Sequence, residues 1–460
     1  MKLHSIFSHT AAALALSALL LSGCGSSRYH DPDLTAAFAA QETTQEAAQG
    51  TTQEAAQGTA QGAAQGAAQE TSHGPGANIP AVPETSPEAD SPANPEASSG
   101  PDSPGPEIPA EAEPQPVRLL FSGDIYLSDH VLNAYDRAGD ISGVLDDGYR
   151  SLIGEADYFA ANQEFPFSSR GQQAPDKQYT FRLPESRVSL MNEIGVDLVT
   201  LANNHALDFG TDALLDTVST LDQAGILHVG AGADSEAARQ PAIVDVNGVR
   251  VGFIGASRVI PVASWTAGAS SPGMLTAYDP ALLVQTIQET RPLCDYLVVL
   301  IHWGVERAEM PVDHQTSLGR QCIDAGADLV VGSHPHVLQG IEYYRGKPIV
   351  YSLGNFIFGS SIPRTALLEV SLTPQETSSD ASQDSPQDAS RDASRDANVS
   401  PDASLTLHPG TSSGGFTRMV TEPAKKEEFF QYIEGISFDI SIDESGAVTP
   451  PSDTQEDLQK

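Results

Sequence analysis

The run Val196-Asp197-Leu198-Val199-Thr200-Leu201 passes directly into Ala202-Asn203-Asn204-His205-Ala206-Leu207-Asp208-Phe209-Gly210, and Asp212 to Ala224 then reads as a helix closed by Gly225. A short run rich in Val and Leu that stops at a polar cluster is what a strand buried on both faces looks like. A glycine after the last apolar-periodic residue is a helix stop, because it adopts a left-handed conformation without a Cβ penalty. The same unit recurs on either side. Val117 to Phe121 runs into Ser122-Gly123-Asp124, and Val249 to Ile254 into Gly255-Ala256-Ser257. Tyr296 to Ile301 runs into His302-Trp303-Gly304, Leu329 to Val331 into Gly332-Ser333-His334-Pro335-His336, and Ile349 to Leu353 into Gly354-Asn355-Phe356. Pro280 to Thr290 reads as a further helix. Strand alternating with helix predicts an α/β domain. Later, Phe416 to Val420, Glu428 to Ile433 and Ile436 to Ile442 read as antiparallel edge strands.

In open α/β sheets ligands gather beyond the carboxyl ends of the strands, so these polar clusters are expected to converge at the end of one sheet. Two imidazoles two residues apart, His334 and His336, can face neighbouring metal ions from one turn. His302 adds a third imidazole, Asn204 an amide oxygen, and Asp124 and Glu164 two carboxylates. Singly, each has an ordinary structural reading: Asp124 as a turn former, Asn204 as a helix cap, His302 as a hydrogen-bonded core residue. Jointly they are the ligand types that a two-metal site needs, with a carboxylate shared between the ions.

The flanks are of another kind. Met1 to Leu21 holds an apolar run too short to span a bilayer, followed by Leu21-Ser22-Gly23-Cys24, the pattern at which a lipid-modified cysteine becomes the mature first residue. Residues 1–23 are thus expected to be a signal peptide, with Cys24 lipidated and the protein on the outer face of the cytoplasmic membrane. Residues 24–116 contain almost no large apolar side chains and nearly repeat Thr-Thr-Gln-Glu-Ala-Ala-Gln-Gly at Thr43 and Thr51, which reads as a disordered stalk. Residues 374–415 repeat Ser-Gln-Asp, Ser-Arg-Asp and Ser-Pro-Asp units and read as a disordered insertion in the domain 117–373. The domain is expected to resume at 416–447 before a tail at 448–460. Without signal, stalk and insertion roughly 280 residues remain, enough for one domain. The formal charge of −37 argues against nucleic acid as a partner. Cys294 and Cys322 lie in apolar stretches, where buried free thiols are expected, although the sequence alone leaves a disulfide between them open.

The ordered strings Leu201-Ala202-Asn203-Asn204-His205-Ala206-Leu207-Asp208-Phe209-Gly210, His302-Trp303-Gly304-Val305-Glu306, Gly332-Ser333-His334-Pro335-His336 and Tyr351-Ser352-Leu353-Gly354-Asn355-Phe356 resemble the signature of the CapA family of capsule (poly-gamma-glutamate) biosynthesis proteins. Gly123-Asp124 and Asn162-Gln163-Glu164 are similar to its earlier motifs, so the resemblance runs from about Val117 to Phe358. It implies a layered fold like that of calcineurin-type metallophosphoesterases, with helices outside the sheets. It also implies a divalent metal (Mn, Fe, Zn or Mg, one or two ions) held by Asp124, Glu164, Asn204, His302, His334 and His336, with Glu164 bridging. His205 would stand where the family fold carries the histidine that protonates or steadies a leaving oxygen. Asp208, Glu306 and Asn355 are placed to orient ligands, contact substrate or serve the fold. Two departures stand out: Asp124-Ile125-Tyr126 lacks the imidazole of the usual Asp-x-His, and Glu164 replaces a shorter Asp. The resemblance therefore implies one ion held tightly by Asn204, His302, His334 and Glu164 and another held loosely by Asp124 and His336.

Two functions fit. One is a metal-dependent hydrolase of a phosphoester or polymer bond at the cell surface. The other is a non-catalytic component that holds an acidic polymer, or the membrane proteins of capsule synthesis, at a lipid-anchored site. The lipid signal and the missing imidazole favour the second for biological role.

Overall fold

The computed structural model describes residues 116–373 and 400–451. The expected signal peptide with Cys24, nearly all of the stalk, most of the insertion and most of the tail lie outside these residues. Along the chain the strands are β1 (Val117–Ile125), β2 (Tyr158–Gln163), β3 (Leu198–Thr200), β4 (Leu227–Val229), β5 (Ala231–Gly232), β6 (Ala242–Val246), β7 (Val249–Ser257), β8 (Gly273–Met274) and β9 (Tyr296–His302). They continue as β10 (Leu329–Ser333), β11 (Ile341–Tyr344), β12 (Lys347–Val350), β13 (Asn355–Ile357), β14 (Ser361–Thr373), β15 (Asp402–Ser413), β16 (Phe416–Met419), β17 (Ser441–Ile442) and β18 (Ala447–Thr449). The helices that matter for packing are α1 (Asp129–Ala138), α2 (Asp147–Gly154), α3 (Ser189–Ile194), α4 (Gly210–Ala224), α5 (Ser235–Arg239), α6 (Ala281–Thr290), α7 (Asp313–Ala325) and α8 (Pro423–Gly435).

Two large sheets and a two-stranded ribbon, β5-β8, form among the described residues, where the sequence was expected to build one sheet. The first runs β17-β18-β15-β14-β1-β2-β3-β4, with β13 also on β1 and β16 on β15; the second runs β11-β12-β10-β9-β7-β6. Side-chain alternation explains the division. Leu119 and Phe121 of β1 face inward with Val298 and Leu300 of β9 in one core between the sheets. Leu120 faces outward into a second core with α2, α3 and α4, and Val299 and Ile301 face outward into a third with α6 and α7. Strands apolar on both faces need cover on both sides, and a helix–sheet–sheet–helix sandwich supplies it. The layered α/β domain with helices outside is as expected. Cys294 and Cys322 are free and buried in the third core.

The C-terminal part departs from the expectation in three places. Glu428 to Ile433, expected as a strand, lies in α8: Pro423 occupies its first turn, and Phe429, Phe430 and Ile433 form one buried face at helical spacing. Of Ile436 to Ile442 only Ser441–Ile442 is strand. Residues 402–413, expected in the insertion, are strand β15, and its partner β14 pairs with it from Ser361↔Ser413 to Thr373↔Asp402. Leu405 and Leu407 alternate inward along β15 and are buried, which holds an otherwise polar strand on the core. Val117 pairs with Leu372 at the same end of the sheet as Thr373↔Asp402. Asp124 lies at the other end of β1, roughly 23 Å away at about 3.3 Å per residue.

Candidate metal centre

The carboxyl ends of β1, β2, β9 and β10 and the turn after β3 deliver the six expected ligand residues to one place, across the two sheets. Asp124 is held where it is by close backbone packing: its N–H donates to Gly354 O at 2.8 Å, and a Cβ on Gly123 would stand 1.8 Å from that same oxygen. Only glycine fits there. Glu164 follows β2 directly. His302 ends β9 opposite Ser333, whose Oγ lies 2.9 Å from His302 Nδ1. That contact turns His302 Nε2 toward Asn204 Oδ1 at 2.8 Å and Glu164 Oε1 at 3.5 Å. His334 and His336 both have positive φ, 96° and 58°. Non-glycine residues in that region are strained, a condition that clusters at functional sites.

The rings stand close, with the His302 and His334 centroids 4.7 Å apart and those of His334 and His336 5.9 Å apart. His336 Nδ1 is 2.8 Å from Asn355 Oδ1, 3.2 Å from Asp124 Oδ2 and 3.8 Å from Glu164 Oε2. Asp124, Glu164, His302 and His334 are fully buried. Asp124 Oδ2 and both oxygens of Glu164 are buried and accept no hydrogen bond among the described residues. Ligand atoms of Asp124, Glu164 and His302 lie within 4.8 Å of one another, as do those of Glu164, His334 and His336, so Glu164 is common to both groups. Two buried carboxylates with unused oxygens, three imidazoles and an amide oxygen fit a borderline or hard divalent cation.

Electrostatics agrees with such a donor set. Burial, reinforced by Asp124, pushes the Glu164 carboxyl well above the usual carboxylate range. Burial pushes His302 and His334 well below the usual imidazole range, so both are neutral with a lone pair to give near pH 7. Burial alone would lower His336 too, but the Glu164 and Asp124 carboxylates outweigh it and hold His336 up at about 10.

His205 lies beside the centre with Nδ1 2.7 Å from Asp208 Oδ2. Asp208 Oδ2 also accepts from Phe181 N at 2.6 Å, and the Phe181 ring stacks on His205 with centroids 4.1 Å apart. Asp208 thus orients His205 and pins the segment that covers it. Glu306 acts on Glu164 and His336 through its charge. Tyr126, where the usual imidazole is missing, stacks on Phe181 at 3.9 Å and meets the edge of Phe358 at 5.3 Å. It contributes an aromatic wall, and burial pushes its phenol up to about 12, which keeps it neutral.

Four participants were not singled out in the sequence. Asn162 donates to Asp124 Oδ1 at 2.7 Å, and Asn203 donates to Asn162 Oδ1 at 3.0 Å and Gln163 O at 2.7 Å. Ser333 positions His302 as described. Asn162, Asn203 and Ser333 each sit next to a candidate ligand or one residue further off, so adjacency was a signal. Lys177 had none: it comes from the polar loop Gln172-Gln173-Ala174-Pro175-Asp176-Lys177, yet its ammonium pairs with Asp208 and lies 3.1 Å from His205 Nδ1.

Fold and site together define a layered α/β protein with a buried carboxylate–imidazole centre at the strand ends. Residues 118–360 match the bacterial capsule synthesis protein PGA_cap family, and the chain belongs to that family. It is 34% identical over 247 residues to the PGA biosynthesis protein CapA of Bacillus subtilis (strain 168), covering 53% of this chain and 64% of that one. It is 33% identical over 278 residues to the capsule biosynthesis protein CapA of Bacillus anthracis, covering 58% and 66%. A probable polyglutamine synthesis accessory protein of Mycobacterium tuberculosis is 36% identical over 206 residues, 43% of this chain and 54% of that one. The chain therefore spans just under two thirds of either Bacillus relative. Among solved structures, the 5'-nucleotidase of Candida albicans overlies 55% of this chain and 47% of its own, with TM-score 0.32 and 11% identity. No helix among the described residues is long and apolar enough to cross a membrane.

Proposed function

We propose that this protein serves the making or surface attachment of an acidic capsule polymer of the poly-glutamate type, through a divalent-metal centre formed by Asp124, Glu164, Asn204, His302, His334 and His336. In this reading Cys24 carries the lipid that keeps it outside the cytoplasmic membrane, within reach of the membrane proteins of capsule synthesis. The observation that carries the metal centre is Glu164, whose two buried oxygens accept no hydrogen bond among the described residues while imidazoles approach from both sides. An ionised carboxylate so placed costs several kcal/mol unless a cation compensates it. A bound ion supplies Lewis-acid polarisation of a phosphoryl or acyl oxygen. Glu164→Gln keeps the shape and removes the charge, so manganese binding and cell-associated polymer should both fall. Full polymer in cells carrying that variant at normal protein level would refute the role of the centre.

A second reading, hydrolysis at this site, is favoured by His205. Its Nδ1 is engaged by Asp208, which leaves Nε2 as the atom that exchanges protons. Burial, helped by Lys177 and opposed by Asp208, pushes His205 down to about 4. Near neutral pH Nε2 therefore accepts a proton first, and gives one to a leaving oxygen only after that.

A further inference from the structure

Between Ser168 and Leu183 the chain makes a loop that leaves and returns through one neck, where Ser168 N–H donates to Leu183 O at 2.9 Å and Leu183 N–H to Pro166 O at 3.0 Å. Gln172 to Gln178 has no apolar periodicity to hold such a loop down. Polar contacts hold it instead, and they converge on the turn after β3. Ala174 N–H donates to Asp208 O at 2.7 Å, and Phe181 N–H donates to Asp208 Oδ2 at 2.6 Å. Between these two points Lys177 reaches in. Its ammonium donates to Asp208 Oδ1 and Asn204 O and lies 5.4 Å from the Trp265 ring centroid. The Lys177 side chain is only 14% exposed, so these groups and not water compensate its charge. One carboxylate thus takes a backbone N–H of the loop, the cation of the loop and His205 Nδ1.

His205 is gripped twice by this arrangement. Asp208 holds the edge of the ring at Nδ1, 2.7 Å away, and Phe181 covers a face, with centroids 4.1 Å apart and planes 21° apart. Tyr126 stacks on Phe181 in turn, at 3.9 Å and 18°. The position that lacks the usual imidazole ligand therefore backs the ring that covers His205. Phe181 and Lys177 belong to one loop, four residues apart, so fixing the ammonium on Asp208 also fixes where the phenyl ring lies.

We propose that Lys177 is a positioning residue of this centre: it latches the loop between Ser168 and Leu183 onto Asp208 and Asn204, and thereby fixes the plane of the His205 imidazole beside the metal ligands. This rests on the hydrolytic reading above, in which His205 passes the proton, and adds to it the part that sets His205 in place. The ammonium is spent on Asp208 and Asn204, so Lys177 acts through His205 and not on a substrate. A proton-transfer group misplaced by even an ångström loses much of its effect, which is what the latch prevents.

The test uses the full chain loaded with manganese, followed by hydrogen exchange and by turnover of an aryl phosphate. Lys177→Met keeps the length and removes the charge, so peptides from the loop should take up deuterium about tenfold faster or more as the latch opens. Its kcat should fall about tenfold to a hundredfold, while KM and manganese affinity stay within about threefold. Lys177→Arg, which keeps the charge, should restore protection of the loop and part of kcat. Phe181→Leu leaves the latch and removes the stacked ring, so kcat should fall with the loop still protected. Unchanged deuterium uptake in Lys177→Met overturns the latch, and faster uptake with unchanged kcat overturns the positioning of His205. A parallel loss of manganese would show that Lys177 builds the centre itself and would overturn the proposal too. These outcomes leave the hydrolytic reading standing. If the wild-type protein turns over no aryl phosphate, that reading falls, and the positioning role with it.

Discussion

Glu164 and His336 share one electrostatic problem, and its solution can be measured. In the folded protein His336 is held up at about 10, so near pH 7 it is a cation lying against two carboxylates. A divalent ion taking that place must displace the proton. Manganese uptake at pH 7 should therefore release about one proton from the His336–Glu164 pair, seen by calorimetry in buffers of different ionisation enthalpy. The affinity should rise with pH, by about tenfold per unit for one proton, until His336 loses its proton unaided near 10. Affinity flat between pH 6 and 8 would mean that His336 is no ligand. His334 is neutral and buried, and it comes at no such cost. His334→Ala should abolish tight manganese binding, and calorimetry giving an unchanged constant in that variant would remove His334 from the centre.

Among the elements, β14 and β15 define where the chain tolerates change. Their ladder runs to Thr373↔Asp402, so the polymer-like polar segment between them enters and leaves through paired residues. Deleting Glu376 to Asn398 removes no large apolar side chain and shortens the connection from β14 to β15, and closure cost varies only slowly with length; melting temperature should move by a few degrees at most. Extending the deletion through Ser412 removes β15 with buried Leu405 and Leu407 and should prevent folding. Soluble, cooperatively melting protein from the longer deletion would contradict the sheet order. The sequence made β1, β3, β7, β9, β10 and β12 legible because Val, Ile and Leu crowd there into short runs that stop at polar residues. It hid β15, where Ser, Thr and Asp outnumber the two buried leucines, and it disguised α8, whose Phe429-Phe430-Gln431-Tyr432-Ile433 is as rich in β-favouring residues as a strand. Two apolar faces per strand were visible, but which strands share a sheet was not, since that depends on long-range pairing. The ligand residues were legible because each lies at the carboxyl end of a strand or within a few residues beyond it. Lys177 was not, because a loop without periodicity gives no hint of where it folds back.

For the whole molecule, the proposed anchor makes a simple statement about partition. Cys24→Ala should release the protein from membranes into the soluble fraction and abolish metabolic lipid labelling. A variant that still sediments with membranes, labelled as before, would show that something other than Cys24 holds it.

The ends of β1 give that attachment a direction. Everything before Val117, and everything between Thr373 and Asp402, joins the domain at one pole, while Asp124 and its neighbours occupy the other. A body held by the first pole carries its chemistry on the side facing away from its support, as a lamp does on a post. Additions or losses of sequence at the holding pole change the height of that lamp and leave its aim alone. Purified protein coupled to a bead through its N-terminal segment should accordingly bind manganese as well as free protein does, whereas coupling through the loops around Val305 and Met310 should block access.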